Sequence, residues 1–318
     1  MRTRRAVLLL GTLAGAALLA PWLAPYDPSV SFRGFRHAPP MPPRLSEGLQ
    51  AHPLRRESLL DERFVEDRTR VVPLPWSRDR TEPVFLLGAD ASGRDVLSRL
   101  LAGTRVSLGL ALVAVLGTTL VGSVLGAWAG AAGGRLDEVM MRTADFVLVL
   151  PVLYVVLVLR AAMPLVLPSA VVFTLMAGIF IAVGWPVVAR GVRGIVARER
   201  DREYAVAARS LGAGTMRVLV RHLLPACAGH VAVQASLLLP AVVLAEATLS
   251  FVGLGFPATQ PSWGTMLRDA ADVNELTRFP WVLAPAFAII AVTLTTNLAL
   301  QPRTAERPLA ADASPIAR

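Results

Sequence analysis

Long apolar runs constrain this chain more than any other feature. Residues 6–24, 106–132, 139–159, 165–189, 226–251 and 281–300 are apolar with few interruptions. Each is close to or above the ~20 residues that an α-helix needs to cross a bilayer. A backbone inside hydrocarbon finds no water for its N–H and C=O groups, so a spanning segment must be a helix or part of a closed barrel. Runs of this length and continuity suit helices. The expected fold class is therefore an all-α polytopic membrane protein with about six transmembrane helices.

Composition agrees, with 54% hydrophobic and 17% charged residues and a mean hydropathy of +0.54. Each of the 32 basic residues is Arg, because the sequence contains no Lys. A phosphate-binding Walker A loop needs Lys to reach the nucleotide phosphates, so any ATP used must be bound by another polypeptide. The single Cys227 excludes an intramolecular disulfide and an all-Cys metal site. His37, His52, His222 and His230 are scattered, with no metal-ligand spacing among them. No nucleophile elbow and no GxGxxG occurs. We expect no catalytic residues, no metal, no cofactor in this chain and no nucleic-acid partner.

Taken in order, Arg2, Arg4 and Arg5 precede the first apolar run, which ends in PWLAPYDP rather than at a small-residue cleavage site. It reads as an uncleaved helix over residues 1–25 rather than a signal peptide. Residues 26–104 form an insert and a lead-in to the second span. Between residues 25 and 105 the chain carries 13 Arg and 11 acids, and Pro39, Pro40, Pro42 and Pro43 make a stiff stretch. Residues 54–67 are expected to form a short amphipathic helix. The insert serves either as a structural cap or as a contact surface for an external partner. The membrane core is expected over residues 105–301, followed by a disordered tail, 302–318. In the second span, Gly122, Gly126 and Gly130 form two overlapping GxxxG patterns, which permit close helix packing but are weak signals alone.

Charge asymmetry orients the chain. Residues 189–225 hold eight Arg against three acids, whereas residues 253–279 hold two Arg against three acids. The positive-inside rule then puts residues 189–225 and both termini in the cytoplasm and the insert outside.

The segment 203–225, EYAVAARSLGAGTMRVLVRHLLP, is a soluble stretch between membrane runs. Its first half consists of good helix formers. Gly212 and Gly214 supply a sharp stop. Its second half is amphipathic, with Pro225 at the boundary to the next span. Within the spans, Asp145 is expected to pair structurally near the membrane interface. Glu246, Gln234 and His230 are candidates for a polar translocation path, with structural burial as the other reading.

Three segments in order carry a family resemblance. Segment 203–225 resembles the cytoplasmic EAA loop of permease subunits in binding-protein-dependent ABC importers, with Ala207, Ala208, Gly212, Leu224 and Pro225 at matching places. LGADASGRDVLSRLLAGTRVSL, residues 87–108, and EATLSFVGLGFPATQPSWGTML, residues 246–267, resemble permeases of the dipeptide, oligopeptide and nickel type, closest to the "C" permease of the pair. The resemblance implies a type I ABC importer permease fold, like that of the methionine importer. It further implies a homologous second permease, two ATPase subunits that bind ATP and Mg, an extracytoplasmic solute-binding protein, and residence in a bacterial inner or plasma membrane.

Site residues follow from the same resemblance. The coupling loop, residues 190–225, would contact an ATPase through Glu203, Tyr204, Ala205, Val206, Ala207, Ala208, Arg209, Leu211, Gly212 and Ala213. Pro261, Ser262, Trp263 and Gly264 form an outer-loop motif. The chain departs from the family at Val206, where the motif's Glu is expected; Glu203, one turn earlier, is a candidate substitute. The contact should then rest mainly on Ala207 and Ala208. The implied function is half of a translocation pathway for peptides, with nickel chelates or other small solutes as alternatives. A channel or a membrane-embedded enzyme is the competing class, and it would need no ATPase or would bring catalytic groups together at one depth.

Overall fold

The computed structural model describes residues 22–45, 49–57, 64–73, 83–162 and 167–300, together with Pro164 and scattered positions before residue 22. The expected first span falls largely outside the described residues, and the expected tail falls entirely outside them.

Four described helices are long and apolar enough to cross a membrane: Val96–Ala132 (α1), Ser169–Glu199 (α4), Thr215–Val252 and Pro280–Leu298. The chain is membrane-embedded and multi-pass. Between α1 and α4 lie Gly134–Val149 (α2) and Val152–Ala161 (α3). After α4 come Glu203–Ser210 (α5), Thr215–Val218 (α6), a π-helical turn Leu219–Leu223, and Leu224–Val252 (α7). Trp263–Asp269 (α8), Val273–Arg278 (α9), a 3-10 turn Pro280–Leu283 and Ala284–Leu300 (α10) complete the order.

The main core joins one face each of α1, α4, α7 and α10. Leu110, Ala111 and Ala114 meet Met176 and Phe180 of α4, Leu239 and Val243 of α7, and Ile289 and Val292 of α10. The opposite face of α1 leaves Leu116, Leu120, Val124 and Trp128 exposed at helical spacing.

The glycine ladder is the tightest seam. A Cβ at Gly122 would lie 2.7 Å from the Trp185 carbonyl, one at Gly126 would strike the Ala189 carbonyl, and one at Gly130 would lie 2.7 Å from the Arg193 carbonyl. Both series advance by four residues in the same direction, so α1 and α4 run parallel with backbones nearly touching. The GxxxG pattern is thus a packing surface.

The expected third span is not continuous. Leu150 is extended (φ −73°, ψ 119°), and Pro151 follows it. The proline ring disfavours helical ψ in the residue before it, so α2 ends and α3 begins anew. Among the described residues of α2 only Ala144 is buried. Asp145 pairs with Arg190 of α4, and Arg142 with Glu138. Asp145 thus pairs structurally, as expected, and its partner lies on α4.

The second span starts earlier than hydropathy suggests. α1 begins at Val96, where the Asp95 carboxylate accepts from Ser98 N–H at 2.8 Å as an N-cap. The expected boundary at residue 104/105 falls inside this helix.

The described residues of the insert ahead of α1 form short strands rather than a helix. Arg44–Leu45 (β1), Leu49–Ala51 (β2) and Val72–Pro73 (β5) form one antiparallel sheet in the order β1-β2-β5. Leu54–Arg56 (β3) pairs antiparallel with Phe64–Glu66 (β4), with Arg55 opposite Val65. These strands replace the amphipathic helix expected over residues 54–67; the apolar spacing there was too short to separate a period of 2 from one of 3.6. The insert has its own small core, in which Phe32, Met41, Leu54 and Phe85 pack together.

Candidate coupling element and the knot at the opposite end

The loop between α4 and α7 folds as a helix, a tight stop and a second helix. α5 ends in a Schellman motif: Ala213 N–H donates to Ala208 C=O at 3.0 Å and Gly212 N–H to Arg209 C=O at 2.9 Å. Gly212 takes φ +85°, a left-handed conformation that costs little only for glycine.

The second helix does not stop at Pro225. α6, the π turn and α7 form one rod of 38 residues. Pro225 has no N–H, and its ring crowds the carbonyl four residues back. The wider π turn lies immediately ahead of it and accommodates that missing bond within the rod. A second Schellman motif ends the rod, with Leu254 N–H on Leu249 C=O at 2.8 Å and Gly253 at φ +89°.

α5 has two distinct faces. Ala205 is buried against Val192 and Val196 of α4 and against Val218, Leu223 and Cys227 of the rod. Ala208 and Ala213 are half-buried on the same side. Tyr204 O–H donates to Glu199 at 2.9 Å, and Arg209 donates to the Arg200 carbonyl at 2.5 Å, so α5 is tied to the end of α4. Glu203, Val206, Ala207 and Leu211 point outward, and Leu211 is 89% exposed. The expected Ala207/Ala208 contact surface is therefore split. Ala207 belongs to the free face, and Ala208 belongs to the seam that holds α5 down.

At the other end of the bundle, residues 87–108 and 246–267 come together. Glu246 of α7 is 0% exposed. Its carboxylate accepts from Ser107 Oγ of α1 at 2.7 Å and from Ser250 Oγ at 2.8 Å. Ser107 Oγ in turn accepts from Trp263 N–H at 3.1 Å. Ser262 and Thr265 form a capping box that starts α8. Trp263 is buried, and Gly264 lets α8 lie on α7: a Cβ there would sit 2.6 Å from Ser250 Cβ. The motif Pro261–Gly264 thus closes the turn after α7 and fastens it to α1.

Glu246 is buried at the centre of this polar knot. His230 and Gln234 are half-buried farther along the rod. The His230 ring lies against Gly191 of α4, where any Cβ would collide with it.

Sequence reading missed a buried ion network beside the knot. Arg99 is 2% exposed and pairs with Asp90 and, at 2.9 Å, with Asp269. Arg94 reaches the same two acids at 2.8 and 3.1 Å. Bidentate guanidinium–carboxylate geometry makes such sharing possible. The signal was available as alternating Asp and Arg in ADASGRDVLSR, but the partner Asp269 is distant in sequence. Nearby, burial pushes the Asp95 carboxyl up to about 6 against the lowering effect of its Ser98 bonds. Trp281 Nε1 donates to the Ala89 carbonyl at 3.0 Å, and the His37 ring stacks on Phe279 at 4.0 Å. These contacts join the insert to the start of the last span.

Comparison with known proteins places these two ends in a context. Residues 104–301, more than half of the chain, match the family described as binding-protein-dependent transport system inner membrane component. The di/tripeptide transport system permease protein DppC of Pseudomonas aeruginosa is 36% identical over 283 residues, covering 89% of this chain and 79% of that protein. The oligopeptide transport system permease protein OppC of Bacillus subtilis is 38% identical over 207 residues, covering 65% of each chain. The matched family region contains both the two-faced helix α5 and the Glu246 knot, and the chain belongs to the family of binding-protein-dependent transport system inner membrane components.

Proposed function

We propose that the chain is a non-catalytic permease subunit forming half of the path by which an ABC importer moves peptides or similar small solutes. An extracytoplasmic binding protein delivers the solute, a homologous permease supplies the other half of the path, and two ATPase subunits provide the energy. The names of the relatives support peptides as the cargo. The Arg excess in residues 189–225 supports a cytoplasmic location for α5 and an external one for the insert.

One observation carries this reading. α5 locks Ala205 into the core while it presents Glu203, Val206, Ala207 and an almost bare Leu211 outward. A short helix held rigidly on one side and apolar on the other is suited to fill a groove on a partner. With Val in place of the family's Glu at position 206, the contact is apolar in its middle and acidic at Glu203.

Co-purification of the chain with its ATPases tests the reading. Leu211→Asp places a charge at the contact without touching the core, and it should release the ATPases. Glu203→Ala should leave the complex assembled but lower solute uptake per ATP hydrolysed. Retention of the ATPases by Leu211→Asp, together with full coupling in Glu203→Ala, would remove α5 as the coupling element.

A further inference from the structure

A broad concavity lies where the insert meets the helices. It is a cleft of about 920 Å³ at the insert end of the bundle. Asp27 and Ser29 of the insert, Arg105 of α1, Phe173 of α4, and Thr259 and Gln260 of the turn after α7 line it. Its volume lies in the range of small-molecule sites.

Arg105 is the notable member. It lies six residues beyond Arg99 on α1, which turns it about 240° to another face. Arg99 is consumed in the ion network, whereas Arg105 is exposed and has no acidic or hydrogen-bonding partner among the described residues. α1 has 37 residues, which is about 55 Å against about 30 Å of hydrocarbon. Arg105 lies about 14 Å along it from the insert end, near the outer boundary of the membrane. Its guanidinium lines the cleft, and because eleven residues turn a helix to within about 20° of the starting direction, Arg105 stands at the outer end of the same exposed stripe as Leu116 and Leu120.

The charge balance of the lining narrows the ligand. Arg105 is the single cation and Asp27 the single anion among the described lining residues. Ser29, Thr259 and Gln260 add neutral hydrogen-bonding groups, and Phe173, Val106 and Pro261 add an apolar wall. One guanidinium fits one carboxylate in a forked pair. A polyanion would require more positive charge than the cleft has.

We infer that this cleft is a solute-binding site on the permease itself, with Arg105 receiving the carboxylate of a small zwitterionic solute such as a dipeptide as it leaves the binding protein. Arg105 is thereby a specificity-determining residue. The inference rests on the import function proposed above and adds a site and a ligand chemistry to it. Phe173 and Pro261 contact the apolar part of the solute, and Gln260 and Thr259 supply bonds to its amide.

The complete transporter, reconstituted in vesicles with its partner permease, ATPases and binding protein, provides the test. Uptake of alanyl-alanine and ATP hydrolysis are measured together. Arg105→Gln should reduce uptake per ATP about tenfold, the scale of one lost charge-assisted pair, while ATPase stimulation by the loaded binding protein stays native. Arg105→Lys should restore most of the uptake. Gln260→Cys should react with a membrane-impermeant thiol reagent in the assembled complex and be protected when peptide-loaded binding protein is added. Unchanged uptake in Arg105→Gln overturns this site alone, as does a parallel fall of uptake and ATPase activity. An unreactive Gln260→Cys in the absence of peptide means that lipid or the partner permease fills the cleft, which also overturns it. No uptake by the native chain sinks the peptide-import reading and this site with it.

Discussion

Ser107 and Glu246 lie 139 positions apart in sequence and 2.7 Å apart in space, hydroxyl to carboxylate. The same hydroxyl oxygen accepts from Trp263 N–H, so one serine joins α1, α7 and the turn that leads into α8. Removing it takes one donor from a buried carboxylate and the acceptor from a buried amide. Ser107→Ala should destabilise the chain by about 1–3 kcal/mol, read as a lower midpoint of thermal aggregation in detergent. Glu246→Gln keeps one accepting oxygen and turns the other into an NH2 group that one serine hydroxyl can accept from, and with no charge to bury it should be milder. Equal behaviour of Ser107→Ala and the native chain would show that the knot is dispensable.

The glycine seam predicts a contrast within one helix. Gly126→Ala pushes a methyl group into the Ala189 carbonyl, whereas a Cβ at Gly109 meets nothing within 4 Å. Gly126→Ala should therefore lower yield and thermal stability by about 1–3 kcal/mol, the usual cost of overpacking. Gly109→Ala should be neutral or slightly stabilising, since alanine is the better helix former. Equal tolerance of the two substitutions, measured by fluorescence-detected size exclusion, would contradict the close approach of α1 and α4.

Buried and exposed ion pairs should separate cleanly. Arg99→Ala leaves Asp90 and Asp269 without their buried partner and should cost about 3–5 kcal/mol. Glu138→Ala removes a pair whose side chains are both well exposed and should change stability by less than about 1 kcal/mol. Arg99→Lys cannot fork between two carboxylates and should fall between them.

Asp95 gives a pH-dependent signature. Its carboxyl is raised from 3.8 to about 6 by burial, so the folded chain binds a proton there more tightly than the unfolded chain. Stability from this group therefore falls as pH rises from about 4 to about 6, where the ionised form becomes costly. Asp95→Asn retains a good N-cap without that charge. Relative to the native chain it should be more stable at pH 7.5 than at pH 5, where Asp95 is protonated and resembles Asn. A gap that does not depend on pH would contradict the shift.

The membrane plan was readable because the period of the apolar runs and the charge of the connecting loops are local properties. Four spans follow from them directly. The Gly212 stop was also visible, since a left-handed cap requires glycine. What was hidden depends on contacts distant in sequence. Ala205 and Ala207 are the same residue type two positions apart, and only the neighbours of α5 decide which is buried. Glu246 stayed open between a pathway role and structural burial, because a charge in an apolar run is compatible with either. Its serine partners are too ordinary to announce themselves. The strands of the insert were missed because segments of two or three residues carry no usable period, and their pairing comes from the small core around Phe85.

The parallel seam of α1 and α4 has a mechanical consequence. Its contacts at Gly122, Gly126 and Gly130 are spaced one turn apart and made against backbone, so they cannot slide past one another by a fraction of a turn. They part together or not at all. The two helices are therefore a laminated beam, stiffer than either ply, with the foot of α5 bolted to its end through Tyr204 and Arg209. A load applied at Leu211 meets that beam rather than a hinge. The helix pair α2 and α3 is instead interrupted at Leu150–Pro151, outside this seam.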